Sequence, residues 1–160
     1  MRFFNTAGPC NPDDHYMLPA TARLADEHVF RLIETKSYFI VHAPRQTGKT
    51  TAMHELARQL TASGNYISVL LSMEVGAGLP DDVGVAEQAI LNEWEDAICY
   101  QLPPSLHPNR WKSSAGPGRR IGAFLSQWAR AASRPLVIFL DEIDALANNA
   151  LISVLRQLRS

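Results

Sequence analysis

A short loop at residues 43–51, Ala-Pro-Arg-Gln-Thr-Gly-Lys-Thr-Thr, constrains this chain more than any other segment. It follows the apolar run 38–41, and the residues after it repeat apolar side chains at helical spacing. A tight turn that leads into a helix N-terminus supplies converging N–H donors and a dipole that favours an anion. The pattern predicts a phosphate-binding loop between a strand and a helix. The alternative is a chance Gly-Lys-Thr at the start of an ordinary helix.

The residue types in this loop suit a nucleoside triphosphate. Gly48 lets the backbone approach the phosphates without a Cβ, Lys49 reaches the β- and γ-phosphates, and the Thr50 hydroxyl can bind Mg²⁺. Ala43 stands where the usual pattern has its first glycine, so the loop entry must avoid left-handed conformations. The predicted nucleotide-binding residues are Ala43, Pro44, Arg45, Gln46, Thr47, Gly48, Lys49, Thr50 and Thr51.

A second motif lies at residues 136–142, Leu-Val-Ile-Phe-Leu-Asp-Glu. Its apolar run follows Pro135 and predicts a strand buried on both faces, as in a parallel sheet. Ligands of open α/β sheets bind at the carboxyl ends of the strands. Asp141 is therefore predicted to hold Mg²⁺ through water, and Glu142 to orient the attacking water as a general base. The alternative is a strand that ends in two solvated acids.

Together the two motifs resemble the Walker A and Walker B motifs of AAA-like ATPases. These belong to the additional-strand P-loop class, which includes the AAA and STAND ATPases and places a glutamate directly after the metal-binding aspartate. The segment 11–19, Asn-Pro-Asp-Asp-His-Tyr-Met-Leu-Pro, is similar to the bacterial branch. The resemblance implies an α/β fold, a parallel β-sheet flanked by helices, with ATP and Mg²⁺ as ligands. It also implies an N-terminal segment and helix, residues 1–36, that covers the nucleotide site, and an ATPase core over residues 37–160.

In this class another strand lies between the strand that carries Asp141 and the strand before the phosphate loop. That strand follows the Asp-Glu motif in sequence, whereas here one helical pattern leads from Glu142 to Ser160. We therefore expect an incomplete C-terminal part that lacks the sensor strand and the helical lid. The alternative is direct pairing of the two strands, as in the kinase and GTPase class.

Apolar periodicity and chain breakers predict the remaining elements. The expected order is a helix over 21–36, a strand over 38–43, a helix over 49–62 ended by Gly64-Asn65, a strand over 66–72, a helix over 85–101, a loop over 103–118, a helix near 121–132, a strand over 136–141 and a helix from 148. The alternation of strands and helices predicts a parallel sheet with right-handed crossovers.

Composition limits the partners that this chain can have. A length of 160 residues with 46% apolar content suffices for one core. The net charge of −1 creates no field that would recruit nucleic acid or an anionic membrane, and no apolar run approaches the ~18 residues of a membrane span. Cys10 and Cys99 lack metal or redox spacing, which predicts reduced thiols in a cytoplasmic protein.

Charge is unevenly distributed along the chain. Residues 59–109 contain seven acids and no Lys or Arg, whereas residues 110–134 contain six basic residues and no acid. Arg110, Trp111 and Lys112 together would suit nucleic acid, because cations neutralise phosphate and Trp stacks on bases. Two solvated faces are the favoured interpretation, so nucleic acid remains an unsupported partner.

The sequence thus predicts a module that binds Mg-ATP and hydrolyses it slowly to drive or gate a conformational switch. Lys49 and Glu142 are the predicted catalytic residues, and Thr50 and Asp141 the predicted Mg²⁺ ligands. The alternatives are a nucleotide-dependent signalling switch with negligible turnover and a small-molecule kinase. The expected partners are the nucleotide and an unidentified protein or oligomer.

Overall fold

The computed structural model describes residues 27–44, 47–79, 82–109 and 114–159. The chain divides into two compact units, Met1–Leu56 and Ala57–Ser160. The segment 11–19, the loop residues Arg45 and Gln46, and the basic motif 110–112 lie outside the described residues.

The first unit contains one helix, a segment without regular secondary structure and the start of a second helix among its described residues. Helix α1 spans Glu27–Glu34, and α2 spans Lys49–Ala62 and continues into the second unit. The strand expected over 38–43 is not formed: among the described residues the segment belongs to no sheet, and the side chains of Tyr38 and Ile40 are 85% and 91% exposed. A strand is stabilised by a neighbour's backbone groups and cross-strand side chains. The apolar pattern here therefore does not correspond to a sheet strand within the described residues.

The second unit alternates strands and helices in the predicted order. Its elements are β1 (Ile67–Ser72), α3 (Val83–Gln101), α4 (Arg120–Ala131), β2 (Leu136–Asp141) and α5 (Asn148–Leu158), with short 3₁₀ turns at Glu74–Gly78, Pro104–Leu106 and Ile143–Ala145. Helix α3 begins two residues before the predicted position because the Asp82 carboxylate accepts a hydrogen bond from the Val85 N–H at 3.0 Å. Across the described ranges, no helix combines the length and apolar content that spanning a bilayer requires.

Strands β1 and β2 form a two-stranded parallel sheet within the described residues, in register from Ile67 beside Leu136 to Ser72 beside Asp141. Parallel strands need a long crossover connection, and α3 and α4 provide it. The core of this unit joins both strands to all three of its helices, α3, α4 and α5. Its largest buried members are Trp94, Trp128, Phe124, Ile67, Leu71, Met73, Ile90, Leu91, Ile98 and Ile121. The parallel sheet predicted from strand–helix alternation is thus confirmed for β1 and β2.

Three side chains form hydrogen bonds with the backbone along the outer edge of β1. They bond alternate residues of the strand, whose N–H and C=O groups face away from β2. The Thr61 hydroxyl bonds Ser68 N and O at 2.9 and 3.0 Å, the Gln101 amide bonds Leu70 N and O at 3.0 and 2.8 Å, and the Trp94 indole N–H donates to Ser72 O at 2.8 Å. These bonds supply what an adjacent strand would otherwise supply, so β1 is built as a terminal strand.

A buried carboxylate connects the helices of the second unit. Glu87 on α3 is only 1% exposed, and its two oxygens accept hydrogen bonds from Gly118 N–H at 2.8 Å and from the Gln157 amide at 2.6 Å. The Gln157 side-chain oxygen in turn accepts the Gly122 N–H at 3.0 Å. Buried polar groups need such partners. The network therefore fixes α3, α4 and α5 relative to one another.

Candidate nucleotide-binding site

Within the described part of the predicted phosphate loop, Gly48 has a backbone that favours glycine. Gly48 adopts φ +80°, which L side chains rarely adopt, while a Cβ at this position would meet no atom within 4 Å. The requirement for glycine is therefore conformational and not steric. Helix α2 starts directly afterwards at Lys49, and its first turn is closed by Ala52 N–H donating to Gly48 O at 2.9 Å. Ala43 keeps a negative φ, in agreement with the expected limit on the loop entry.

The Lys49 ammonium is held by the loop itself. Its Nζ donates to the carbonyl oxygens of Ala43 at 2.9 Å and Pro44 at 3.0 Å, and the Thr47 hydroxyl also donates to Pro44 O at 2.8 Å. These bonds place a positive charge beside the N-terminus of α2, where an anion is favoured. Neutral carbonyls are weaker partners for an ammonium than a phosphate oxygen is, so an arriving phosphate can take over this charge.

In the second unit, two acids follow β2 in different backbone conformations. Asp141 is the last residue of the strand, and its Oδ1 accepts the Glu142 N–H at 3.0 Å. Glu142 adopts the left-handed conformation, φ 55° and ψ 33°, which costs a non-glycine residue about 1–2 kcal/mol. Its carbonyl accepts the Ala145 N–H at 3.0 Å and so closes the following 3₁₀ turn. This turn directs the chain out of the sheet and leaves the Glu142 residue exposed.

A third acid, Glu74, reaches Glu142. The Glu74 side chain hydrogen-bonds the Glu142 carboxyl, and this bond is the main reason why the pKa of Glu142 lies above its ordinary value of 4.5. Partial desolvation and the negative charges of Glu74, Asp141 and Asp144 raise this pKa further. Sequence reasoning did not single out Glu74. The available signal was its position just after β1, because the carboxyl ends of parallel strands meet at one edge of the sheet.

No three His, Cys, Asp or Glu side chains in the described ranges are arranged to hold a metal ion by themselves. Mg²⁺ does not require three protein ligands, because proteins usually bind it through one or two carboxylates together with phosphate oxygens and water. The hydroxyl of Thr50 and the carboxylate of Asp141 are each of a donor type that Mg²⁺ accepts, and their joint role as ligands stays a prediction.

Each motif is formed within its own unit. The first unit brings Ala43, Pro44 and Thr47 around Lys49, with Thr50 and Thr51 exposed on the first turn of α2. The second unit brings Asp141, Glu142 and Glu74 to the carboxyl end of the sheet. The predicted phosphate contacts of Arg45 and Gln46 lie outside the described residues and stay predictions.

A glycine-dependent loop at a helix N-terminus, together with a parallel strand that ends in Asp-Glu, defines a P-loop nucleotide-binding protein of the α/β class. The family model for "ATPase family associated with various cellular activities (AAA)" matches residues 39–159. This match covers most of the chain and both motifs, so the chain belongs to the AAA family, and family membership implies nucleotide binding. No curated protein and no solved structure matches the chain. Its expected place in a bacterial or STAND-like branch stays a prediction.

Proposed function

We propose that this chain binds Mg-ATP and hydrolyses it slowly, and that the bound nucleotide gates a conformational change. One observation carries the proposal: the Lys49 ammonium lies at a loop whose Gly48 has the left-handed backbone of a phosphate cradle. Membership of the AAA family supports the nucleotide as the ligand.

The proposed roles follow from the donor types. Backbone N–H groups of residues 46–49 bind the phosphates, and Lys49 neutralises charge on the β- and γ-phosphates. Thr50 and Asp141 hold Mg²⁺, Asp141 through water, and the cation neutralises the charge that develops during phosphoryl transfer. Thr51 contacts the α-phosphate. Glu142 orients the attacking water and accepts its proton.

Slow turnover is supported by the state of Glu142. A general base must be ionised and must face the water, whereas the Glu142 carboxyl is engaged by Glu74 and its pKa is raised. This arrangement also supports the signalling switch, in which nucleotide binding matters more than turnover.

Binding can be tested by calorimetric titration of ATP and ADP, each with Mg²⁺. We expect saturable binding by the wild type and by the control Lys36→Ala, which removes a cation from the exposed residue after α1. Lys49→Ala should weaken ATP binding at least about tenfold, equivalent to ~1.4 kcal/mol, and should weaken ADP binding less. Absence of saturable binding by folded wild-type chain contradicts the proposal. Equal losses for ATP and ADP contradict the contact between Lys49 and the γ-phosphate.

Turnover can be tested by phosphate release at saturating ATP. Glu142→Gln keeps the shape of the side chain but removes the base, so it should retain ATP binding and lose about 10²–10⁴-fold in rate. Asp144→Asn, which removes a neighbouring carboxylate, is the matched control and should retain turnover. Unchanged turnover in Glu142→Gln would show that Glu142 is not the base. Tight binding without measurable turnover in the wild type would favour the signalling switch.

A further inference from the structure

A thiol and an imidazole face each other at the end of α3. Cys99 lies on the last turn of this helix and is exposed, and its Sγ is 4.0 Å from Nδ1 of His107. The sequence showed no redox spacing because that spacing joins two cysteines, whereas the neighbour of Cys99 is a histidine eight positions later. Helix α3 starts after the turn that carries Glu74, so this pair lies at the far end of α3 from that turn.

The hydrogen bond at the other ring nitrogen determines what Nδ1 can do. Nε2 of His107 is 2.8 Å from the backbone oxygen of Leu102. A carbonyl oxygen can only accept a hydrogen bond, so Nε2 carries the hydrogen of the neutral ring and Nδ1 keeps its lone pair. Nδ1 is therefore an acceptor that faces the Cys99 thiol. A nucleophile beside a base that a third group orients is the arrangement that activates a cysteine.

The backbone holds this imidazole in place. Pro103 and Pro104 restrict φ where the chain leaves α3. Leu106 N–H then donates to Pro103 O at 2.9 Å, and His107 N–H donates to Pro104 O at 3.3 Å. The Leu106 side chain is only 9% exposed and packs in the core. His107 is therefore fixed through both its backbone and its ring, unlike a freely rotating surface side chain.

Charge limits the reagents that suit this thiol. Glu95 and Asp96 lie one turn before Cys99 on α3, and both are exposed. Residues 59–109 contain no Lys or Arg, so no cation of this segment offsets the two acids. Because like charges repel, anionic reagents are disfavoured at Cys99 and an uncharged reagent is favoured.

We propose that Cys99 is a site of oxidation by hydrogen peroxide, with His107 as the general base. The thiol proton passes to Nδ1 while Sγ attacks one peroxide oxygen, so that an S–O bond forms and the O–O bond breaks. The departing oxygen leaves as hydroxide, takes the proton from Nδ1 and becomes water. Sulfur is thereby oxidised to the sulfenic acid, and the peroxide is reduced.

The first test follows sulfenic acid formation at about pH 7, trapped with dimedone and measured by mass spectrometry of the intact chain. Cys10→Ser is present throughout, so that the measured rate belongs to Cys99 alone. We expect His107→Gln to lower the rate at least about tenfold, because glutamine can still donate to Leu102 O but cannot take the thiol proton. His54→Gln, the same substitution at an exposed position of α2, is the matched control and should leave the rate unchanged. Absence of the trapped adduct from Cys10→Ser chain, or equal rates in His107→Gln and His54→Gln, overturns the proposal.

The second test leaves His107 in place and compares folded chain with chain unfolded in urea, again with Cys10→Ser. Both contain the same thiol and the same imidazole, but only the folded chain aligns them. At about pH 7, unfolding should therefore slow the oxidation of Cys99 about tenfold or more. At about pH 9.5, above the ordinary thiol pKa of about 8.5, a thiol ionises without a base, so the two rates should converge. Equal rates at about pH 7, or a difference of the same size at about pH 9.5, overturns the proposal.

Discussion

Replacing Gln101 with Ala should destabilise the second unit through the edge of β1. Gln101 lies at the end of α3, and its amide both accepts from Leu70 N–H and donates to Leu70 O. Alanine can do neither, and no neighbouring strand replaces it at this edge within the described residues. The N–H and C=O groups of Leu70, a half-buried residue, would therefore both lose their hydrogen-bond partner.

The expected size follows from counting these bonds. An intramolecular hydrogen bond contributes about 0.5–1.5 kcal/mol net to the free energy of unfolding, so two bonds amount to about 1–3 kcal/mol. The slightly higher helix propensity of Ala than of Gln offsets this loss of stability by only a few tenths of a kcal/mol. For a unit of this size, each 1 kcal/mol lowers the melting temperature by roughly 4–8 °C.

Urea denaturation followed by circular dichroism measures this loss. Gln127→Ala, the same substitution at an exposed position of α4, is the matched control and should change the free energy of unfolding by less than about 0.5 kcal/mol. Gln101→Glu should cost at least as much as Gln101→Ala, because a carboxylate cannot donate to Leu70 O and repels it. If Gln101→Ala and Gln127→Ala were equally stable, the reasoning that Gln101 acts as a substitute strand would be refuted.

Two further predictions concern buried and exposed polar groups. Trp94→Phe should lower the free energy of unfolding by about 1–3 kcal/mol more than Trp128→Phe. The reason is that the Trp94 N–H donates to a strand carbonyl, whereas the buried Trp128 N–H has no partner within the described structure. Equal losses in urea denaturation would contradict this prediction. The pKa of Glu142 is raised in the folded chain, so its contribution to stability is fully present below pH 4.5 and is lost as the pH rises through the folded pKa. Glu74→Gln should lower the pKa of Glu142 towards 4.5 and shrink this pH dependence, as measured by side-chain NMR titration and by unfolding at several pH values, and an unchanged titration would argue against the contact between the two acids.

Local sequence signals predicted the features that depend on neighbouring residues. The Gly-Lys-Thr triplet predicted a glycine at position 48 for close backbone approach, whereas the structure shows that Gly48 is needed there because its φ is +80°. Gly64 was expected to end α2, and it adopts φ +81° just after that helix. Apolar periodicity located α3 and α4, because one face of each helix is buried in the core of the second unit. These predictions are reliable because propensity, periodicity and burial all favour the same structure.

Features that join distant parts of the chain were not predictable from one sequence. Gln101 lies 31 positions after Leu70, and nothing in its local pattern distinguishes it from an exposed glutamine. Glu74 and Glu142 meet because two parallel strands end at the same edge, which requires the register of the sheet. The run 38–43 has the composition of a strand, but composition does not supply the pairing neighbour that a strand needs.

The two ends of α5 are anchored very differently. At its start, Ala147 provides no side-chain cap and Asn148 adopts φ 52°, whereas near its end Gln157 is bonded to Glu87 and Gly122. Local opening follows the least protected backbone groups. Fluctuations of this helix should therefore begin at its first turn, a few residues after Glu142, while its last turn stays attached to the other helices. The most mobile turn of α5 is thus expected to lie beside the acidic residues that the proposed chemistry requires.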